Sequence, residues 1–142
     1  MSLFARVNTL STEDKVRNFL TEDFPHLVVK AGYSKLDVKS PSMSGGPRAS
    51  MVGNGIENGM IDHFEARRLV PQVEDAMSRC PDPYDRILEM FYVDELSEDD
   101  VLNQLHMSRS KLYRLKHQAL IWFADSFEYV MDLHVYVEDD AF

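Results

Sequence analysis

Between Ser108 and Gln118 the chain reads SRSKLYRLKHQ, which places Arg109, Lys111, Arg114 and Lys116 close together with no acid among them. All 24 aspartates and glutamates lie outside this window, in a chain of formal net charge −9. The chemistry open to such residues is hydrogen bonding and charge neutralisation. Arg109 and Arg114 carry the planar fork of donors that meets the O6 and N7 acceptors of guanine. Lys111 and Lys116 suit phosphates, which fix register without reading sequence. Ser110, Tyr113 and His117 add a short hydroxyl and two flat polar rings to the same helical side. A cationic face on an acidic protein is the pattern of a DNA reader whose remaining surface is repelled by phosphate. The competing reading is an amphipathic helix in a bundle whose basic face is merely solvated.

Other chemistries find little footing. His26, His63, His106, His117 and His134 form no HExxH pattern and no i, i+4 pair, so no metal site is expected. Asp62, His63 and Glu65 are neighbours in sequence, but acid–base catalysis needs groups converging on one pocket. No GxSxG nucleophile motif occurs. GGPRASMVGNG lacks the Lys-Ser/Thr ending of a phosphate-binding loop. The single cysteine, Cys80, excludes an internal disulfide and a zinc finger and reads as a small buried thiol near a helix end. A non-enzymatic protein without cofactor or metal is the expectation. At 142 residues and 44% hydrophobic content the chain can bury one core. It has no run of roughly 20 apolar residues to span a bilayer and no amino-terminal basic-then-apolar signal. A cytoplasmic protein with no membrane partner is therefore expected.

The elements that must position the basic face lie between Asp100 and Ala124. Val101, Leu102 and Leu105 share one side of a short helix, Asp100 to Leu105. Leu112, Leu115, Ala119 and Trp122 or Phe123 recur every three or four residues in a longer one, about 109–123. His106, Met107 and Ser108 join them, with Ser108 as N-cap of the second helix. The layout is a helix-turn-helix (100–124). Its turn carries His106 where many such turns have glycine, a position of positive φ that His tolerates better than most residues.

The string from Asp100 to Leu120 resembles the helix-turn-helix of sigma-70 region 4. SRSKLYRLKHQAL followed by Trp122, Phe123 and Ala124 resembles, more specifically, the ArpU family of phage late transcriptional regulators. The order of an amino-terminal helix, Lys39-Ser40-Pro41-Ser42, a glycine-rich stretch, then Gly53-Asn54 and Glu57, is similar to that family too. The resemblance implies control of phage late genes.

The remainder reads as all-α, in three parts. Residues 1–31 form an N-terminal helical segment. Ser11 or Thr12 is its expected cap, acids fill its first turn, and Val16, Phe19 and Leu20 point inward. Pro25 is expected to break or kink it, HLVVKAGY continues as helix or extended chain, and Gly32 closes it. A hairpin of this kind needs an apolar partner elsewhere. Residues 32–58 hold nearly all the glycine, two prolines and several serines, and read as a flexible Gly/Ser/Pro-rich linker. Residues 59–142 form the helical domain. Ile56, Met60, Phe64, Leu69, Val73, Ala76, Met77 and Cys80 set its first helical period, as one helix or as two divided at Pro71. Arg67 and Arg68 face solvent, paired with Glu65 or Glu74, or touch the DNA backbone. Asp82 is the expected cap of a supporting helix, Tyr84 to Val93, with Pro83 at its first position and Ile87, Leu88 and Phe91 inward. Ser97 and Asp100 stand at capping-box spacing. Past Ala124 the apolar stripe continues through Phe127, Val130, Met131 and Leu133, LHVYV alternates like a short strand, and Glu138 to Asp140 end the chain acidic. Phe127, Tyr129 and Tyr136 pack on the domain's own helices or, if exposed, offer a dimer or polymerase contact.

The function expected is a sequence-specific, double-stranded DNA-binding transcriptional regulator, with Arg109, Ser110, Lys111, Tyr113, Arg114, Lys116 and His117 as the DNA-binding residues. A homodimer is a hypothesis from the paired half-sites that helix-turn-helix proteins often use. Two other classes compete. One is a sigma-like interaction protein that binds RNA polymerase or another phage protein. The other is the small DNA-recognising subunit of a phage packaging enzyme, although that class places its helix-turn-helix early in the chain.

Overall fold

The computed structural model describes residues 5–33 and 61–137. Most of the linker reading, the Lys39 to Glu57 similarity, the start of the helical period at Ile56 and Met60, and the acidic end from Glu138 all lie outside the described residues. Among the described residues the fold is all-α. Its helices are α1 (Thr9–Asn18), α2 (Phe24–Ala31), α3 (His63–Ser78), α4 (Tyr84–Tyr92), α5 (Glu98–Leu105) and α6 (Arg109–Phe127). The short strand expected near the carboxy terminus is reduced to a single antiparallel bridge between Val7 and Tyr136.

The first helix starts earlier than its sequence implied. Asn8 is the cap, its Oδ1 accepting from the Ser11 amide at 3.0 Å, so the acids at 13 and 14 fall beyond the first turn. Thr12 is buried instead, and its Oγ1 accepts from the Val135 amide at 2.9 Å. Pro25 does not interrupt the helical path. Phe19–Asp23 form a π-turn in which the Phe24 amide donates to Phe19 O, and the extra residue lets Pro25 fall in the first turn of α2, where its missing N–H costs nothing. Gly32 at φ 81° ends α2 in the left-handed region. The exposed carbonyls there are met from α3. His63 Nδ1 lies 3.0 Å from Lys30 O, and Arg67 donates to Ala31 O at 3.1 Å while its guanidinium covers the Tyr33 ring at 4.7 Å.

Helix α3 runs through Pro71 unbroken, capped by Asp62, whose Oδ1 accepts from the Glu65 amide at 2.8 Å. Arg68 pairs with the buried Glu65. Phe64 departs from the expected apolar period and is exposed. Helix α4 starts at Tyr84, not at Pro83, and Asp82 does not cap it. The Tyr84 amide donates to Pro81 O at 2.7 Å, which leaves the Asp82 carboxylate to accept from Arg86 Nε at 2.8 Å. Cys80 is buried as expected, and burial raises its thiol pKa to about 12.

One core joins every helix. Val16, Phe19 and Leu20 share one buried cluster with Leu69 and Val73 of α3, Ile87 and Leu88 of α4, Val101 of α5, and Leu112, Phe123 and Phe127 of α6. The apolar partners that the N-terminal hairpin requires are α6, against which α1 packs, and α3, against which α2 packs. Phe19 anchors the first contact, its ring centroid 5.5 Å from Phe127 and 6.3 Å from Phe123. Each such ring contributes roughly 1.5–3 kcal/mol through burial alone.

Candidate nucleic-acid interface

Three local devices set α5 and α6 in place. Ser97 Oγ accepts from the Asp100 amide at 3.1 Å, so α5 begins at Glu98, two residues before the expected start. Its first turn holds Glu98, Asp99 and Asp100 at the positive end of the helix dipole. His106 ends α5 at φ 55°, ψ 53°, the left-handed geometry expected of the turn. Ser108 is extended, and its Oγ accepts from the Lys111 amide at 3.2 Å, which fixes the start of α6. Val101, Leu112 and Leu115 are buried beneath, and Leu102, Leu105 and Met107 are packed on the core at its edge.

This frame sorts the seven basic-face residues into unlike environments. Ser110, Lys111, Tyr113 and Arg114 are exposed on the first two turns of α6. Among the described residues neither Lys111 nor Arg114 meets a carboxylate. Arg109 is exposed too, but its NH1 lies 2.9 Å from Glu98 Oε2 and its NH2 3.0 Å from Asp99 Oδ1. Hydrogen bonds to Asp99 and Glu98 raise its pKa further. Lys116 is turned away from the outer face. It is half-buried, with Nζ 4.0 Å from the centre of the Phe91 ring, and desolvation followed by the nearby Arg17 charge lowers its pKa. His117 is drawn sideways, its Nδ1 hydrogen-bonded to Oε1 of the buried Glu13 on α1. Tyr113 meets the His117 ring edge-on at 4.5 Å. Of the four cations of this face, two, Lys111 and Arg114, are therefore exposed without a carboxylate partner among the described residues.

The geometry also adds residues. Gln118 is exposed, and the Tyr84 hydroxyl donates to its Oε1 at 2.7 Å. Trp122, one turn further on, stacks on Tyr84 with centroids 5.9 Å apart, so Phe123 and not Trp122 supplies the inward seam. Gln118 follows Ser110 and Arg114 at i+8 and i+4, a spacing visible in the sequence. Glu13, Glu98 and Asp99 carried no such signal, because each meets α6 only through the tertiary fold or the turn.

Beyond α6 the carboxy-terminal residues are tied back by His134. This buried ring has Nε2 at 2.7 Å from Asp125 Oδ1 and Nδ1 at 2.6 Å from Asp132 Oδ1, with Glu128 Oε1 at 3.8 Å. Glu128, Asp132 and His134 bring ligand-type atoms within 4.8 Å of one another, but both ring nitrogens already face carboxylates. Phe127 is fully buried in the domain's own core, whereas Tyr129 and Tyr136 are exposed. Tyr129 lies under the Arg79 guanidinium, and the Tyr136 hydroxyl donates to Asp132 Oδ2 at 2.6 Å. No helix among the described residues is long and apolar enough to cross a membrane.

Comparison with known proteins gives two likenesses. Residues 55–123, which hold α3 to α5 and most of α6, match a family described as a protein of unknown function (DUF1492). Over 131 residues the chain is 26% identical to a protein of Enterococcus hirae that bears the name of an autolysin regulatory protein, ArpU. That alignment covers 91% of this chain and 95% of the relative. The two likenesses support the ArpU-like resemblance. No solved structure matches the chain.

Proposed function

We propose that this ArpU-like chain is a sequence-specific, double-stranded DNA-binding transcriptional regulator acting in the cytoplasm. Helix α6 is the recognition helix of a sigma-70 region 4-like helix-turn-helix and enters the major groove. The observation that carries the reading is the outward stripe of Ser110, Lys111, Tyr113 and Arg114 on the first two turns of a helix whose opposite side is buried. A helix held rigidly from behind and exposed at its amino-terminal end is what groove reading requires. The regulatory name of the Enterococcus hirae relative supports the role, and the ArpU resemblance points to phage late genes. Arg114 is the leading candidate for a bidentate guanine contact, Lys111 for phosphate, and Ser110 and Tyr113 for shorter contacts to base edges or backbone. Arg109 joins them when its acidic partners yield. The protein acts by binding, without catalysis.

A second reading draws on the pairing of Arg109 with Glu98 and Asp99, which reduces the cationic surplus of the face. A weakly basic, aromatic surface suits a protein partner such as RNA polymerase. Fluorescence anisotropy on duplexes from around the protein's own gene, across a salt series, separates the two. A preference of about 10³-fold for one fragment over random DNA supports the regulator. Equal affinity for all fragments, lost on adding salt, favours the protein partner.

A further inference from the structure

We infer that Gln118 reads a base and that Tyr84 sets which hydrogen-bonding edge Gln118 presents, an inference that rests on the DNA-reading proposal above. Gln118 stands in line with Ser110 and Arg114 on the outer side of α6, nearly three turns beyond the Ser108 cap. Its neighbour His117 is committed to Glu13, so Gln118 is the exposed polar residue at this level of the helix.

A carboxamide offers an acceptor oxygen and a donor nitrogen, and a free glutamine uses both against adenine, accepting from N6 and donating to N7. Here the oxygen is turned toward α4, because the Tyr84 hydroxyl donates to it at 2.7 Å. Tyr84 is itself fixed. Its amide donates to Pro81 O at 2.7 Å, and its ring stacks on Trp122 at an interplanar angle of 29°. What is left without a hydrogen-bond partner among the described residues is the amino end of this exposed side chain, with two N–H donors. Two donors match the O6 and N7 acceptors of guanine and mismatch adenine, whose N6 amino group itself needs an acceptor. Gln118 thus selects guanine, and the selection comes from Tyr84, a residue that does not touch the base.

The test uses the full-length chain and a duplex enriched from a randomised pool by the wild-type protein, followed by every single-base-pair replacement of that duplex in anisotropy titrations. Gln118→Ala is expected to flatten the preference at one guanine by about tenfold while the other positions keep theirs. Tyr84→Phe keeps the ring and its stack on Trp122 and removes only the hydroxyl, and it is expected to shift that same position from guanine toward adenine. Circular dichroism confirms that both variants fold. If Gln118→Ala weakens all duplexes alike, or none, Gln118 is not a reader and the inference is overturned. If it flattens one position but Tyr84→Phe leaves the guanine preference intact, the role of Tyr84 is overturned. Failure of the underlying DNA-reading proposal appears earlier and separately, as a wild-type protein that enriches no sequence.

Discussion

His117 on α6 is hydrogen-bonded through Nδ1 to Glu13 on α1, a residue 104 positions earlier in the chain. The bond holds the ring against α1, which packs along α6, and on the DNA-reading proposal it removes His117 from the reading set. Glu13 is buried, so its carboxylate depends on this partner. His117→Ala is expected to cost about 1–3 kcal/mol of unfolding free energy, the penalty for a buried group left without its hydrogen bond. Urea unfolding measures the loss, and base preference in the folded protein should stay as in wild type. A variant of full stability that has lost sequence preference would return His117 to the reading face.

Arg109 lies between Glu98 and Asp99, and these carboxylates hold the donors that the proposed DNA contact would use. Replacing both by their amides, Glu98→Gln with Asp99→Asn, is expected to tighten DNA binding by about threefold or more at low salt, with the gain shrinking as salt screens it. Anisotropy at two ionic strengths reads the effect. Unchanged affinity at low salt would mean that Arg109 takes no part in binding.

Arg114 and Lys116 should behave oppositely although both are cations of the same helix. Arg114→Ala is expected to lower DNA affinity on the order of tenfold and to relax the preference at one base pair. Lys116→Met keeps an apolar stem against Phe91 and should leave both quantities near wild type. Equal losses in the two variants would return Lys116 to the DNA-binding face.

The His134 clamp gives the carboxy-terminal segment a pH dependence. Burial pulls the His134 pKa down, but hydrogen bonds to Asp125 and Asp132 outweigh it and leave the pKa above 6.5. For Asp132 burial pushes up, and hydrogen bonds from Tyr136 and His134 bring the net value below 3.8. A histidine with raised folded pKa contributes stability that is complete below its unfolded value and lost as pH rises through the folded one. A carboxylate with lowered folded pKa contributes stability present above its unfolded value and lost as pH falls through the folded one. The clamp is therefore strongest from about pH 4 to 6.5 and loosens above the folded His134 value. Amide exchange at Val135 and Val137, corrected for the intrinsic pH effect, should quicken above that point in wild type and lose this step in His134→Gln. The amides suit the purpose because Val135 N–H donates to Thr12 and Val137 N–H to Arg6 O.

Phe19 tests whether the N-terminal helices share the core's cooperativity. Phe19→Ala is expected to cost about 3–5 kcal/mol, read in one unfolding transition by both Trp122 fluorescence and circular dichroism. Two separate transitions would make α1 and α2 an independent unit.

What the sequence showed and what it withheld divide along a physical line. Ser108 as a cap, the left-handed turn at His106, and the buried period of Leu112, Leu115 and Ala119 depend on residues within a few positions of one another, and all are found as expected. Asn8 replacing Ser11 or Thr12 as a cap is different. Thr12 is claimed by Val135, and nothing local announces a partner so distant in the chain. Pro25 and Pro71 carried strong breaker signals, yet the π-turn at Phe19–Asp23 accommodates the first, and packing of α2 on α3 outweighs the hydrogen bond lost at the second. The basic face shows the same division. Helical geometry identified its members, but only the docking of α1 and α4 and the acidic start of α5 decide that Arg109, Lys116 and His117 are occupied.

The meeting of Val7 with Tyr136, and of Asn8 with Val135, has a consequence for synthesis. Helix α1 is synthesised before its docking surface on α6 and before the residues that seal Thr12. Until then Val16, Phe19 and Leu20 have no permanent cover, so the nascent chain carries an adhesive helix while α2 to α6 are being made. Closing so long a loop also slows the final assembly step. A message truncated before residue 128 would still encode α5 and α6 but not the carboxy-terminal seal, and its product would be prone to degradation and aggregation.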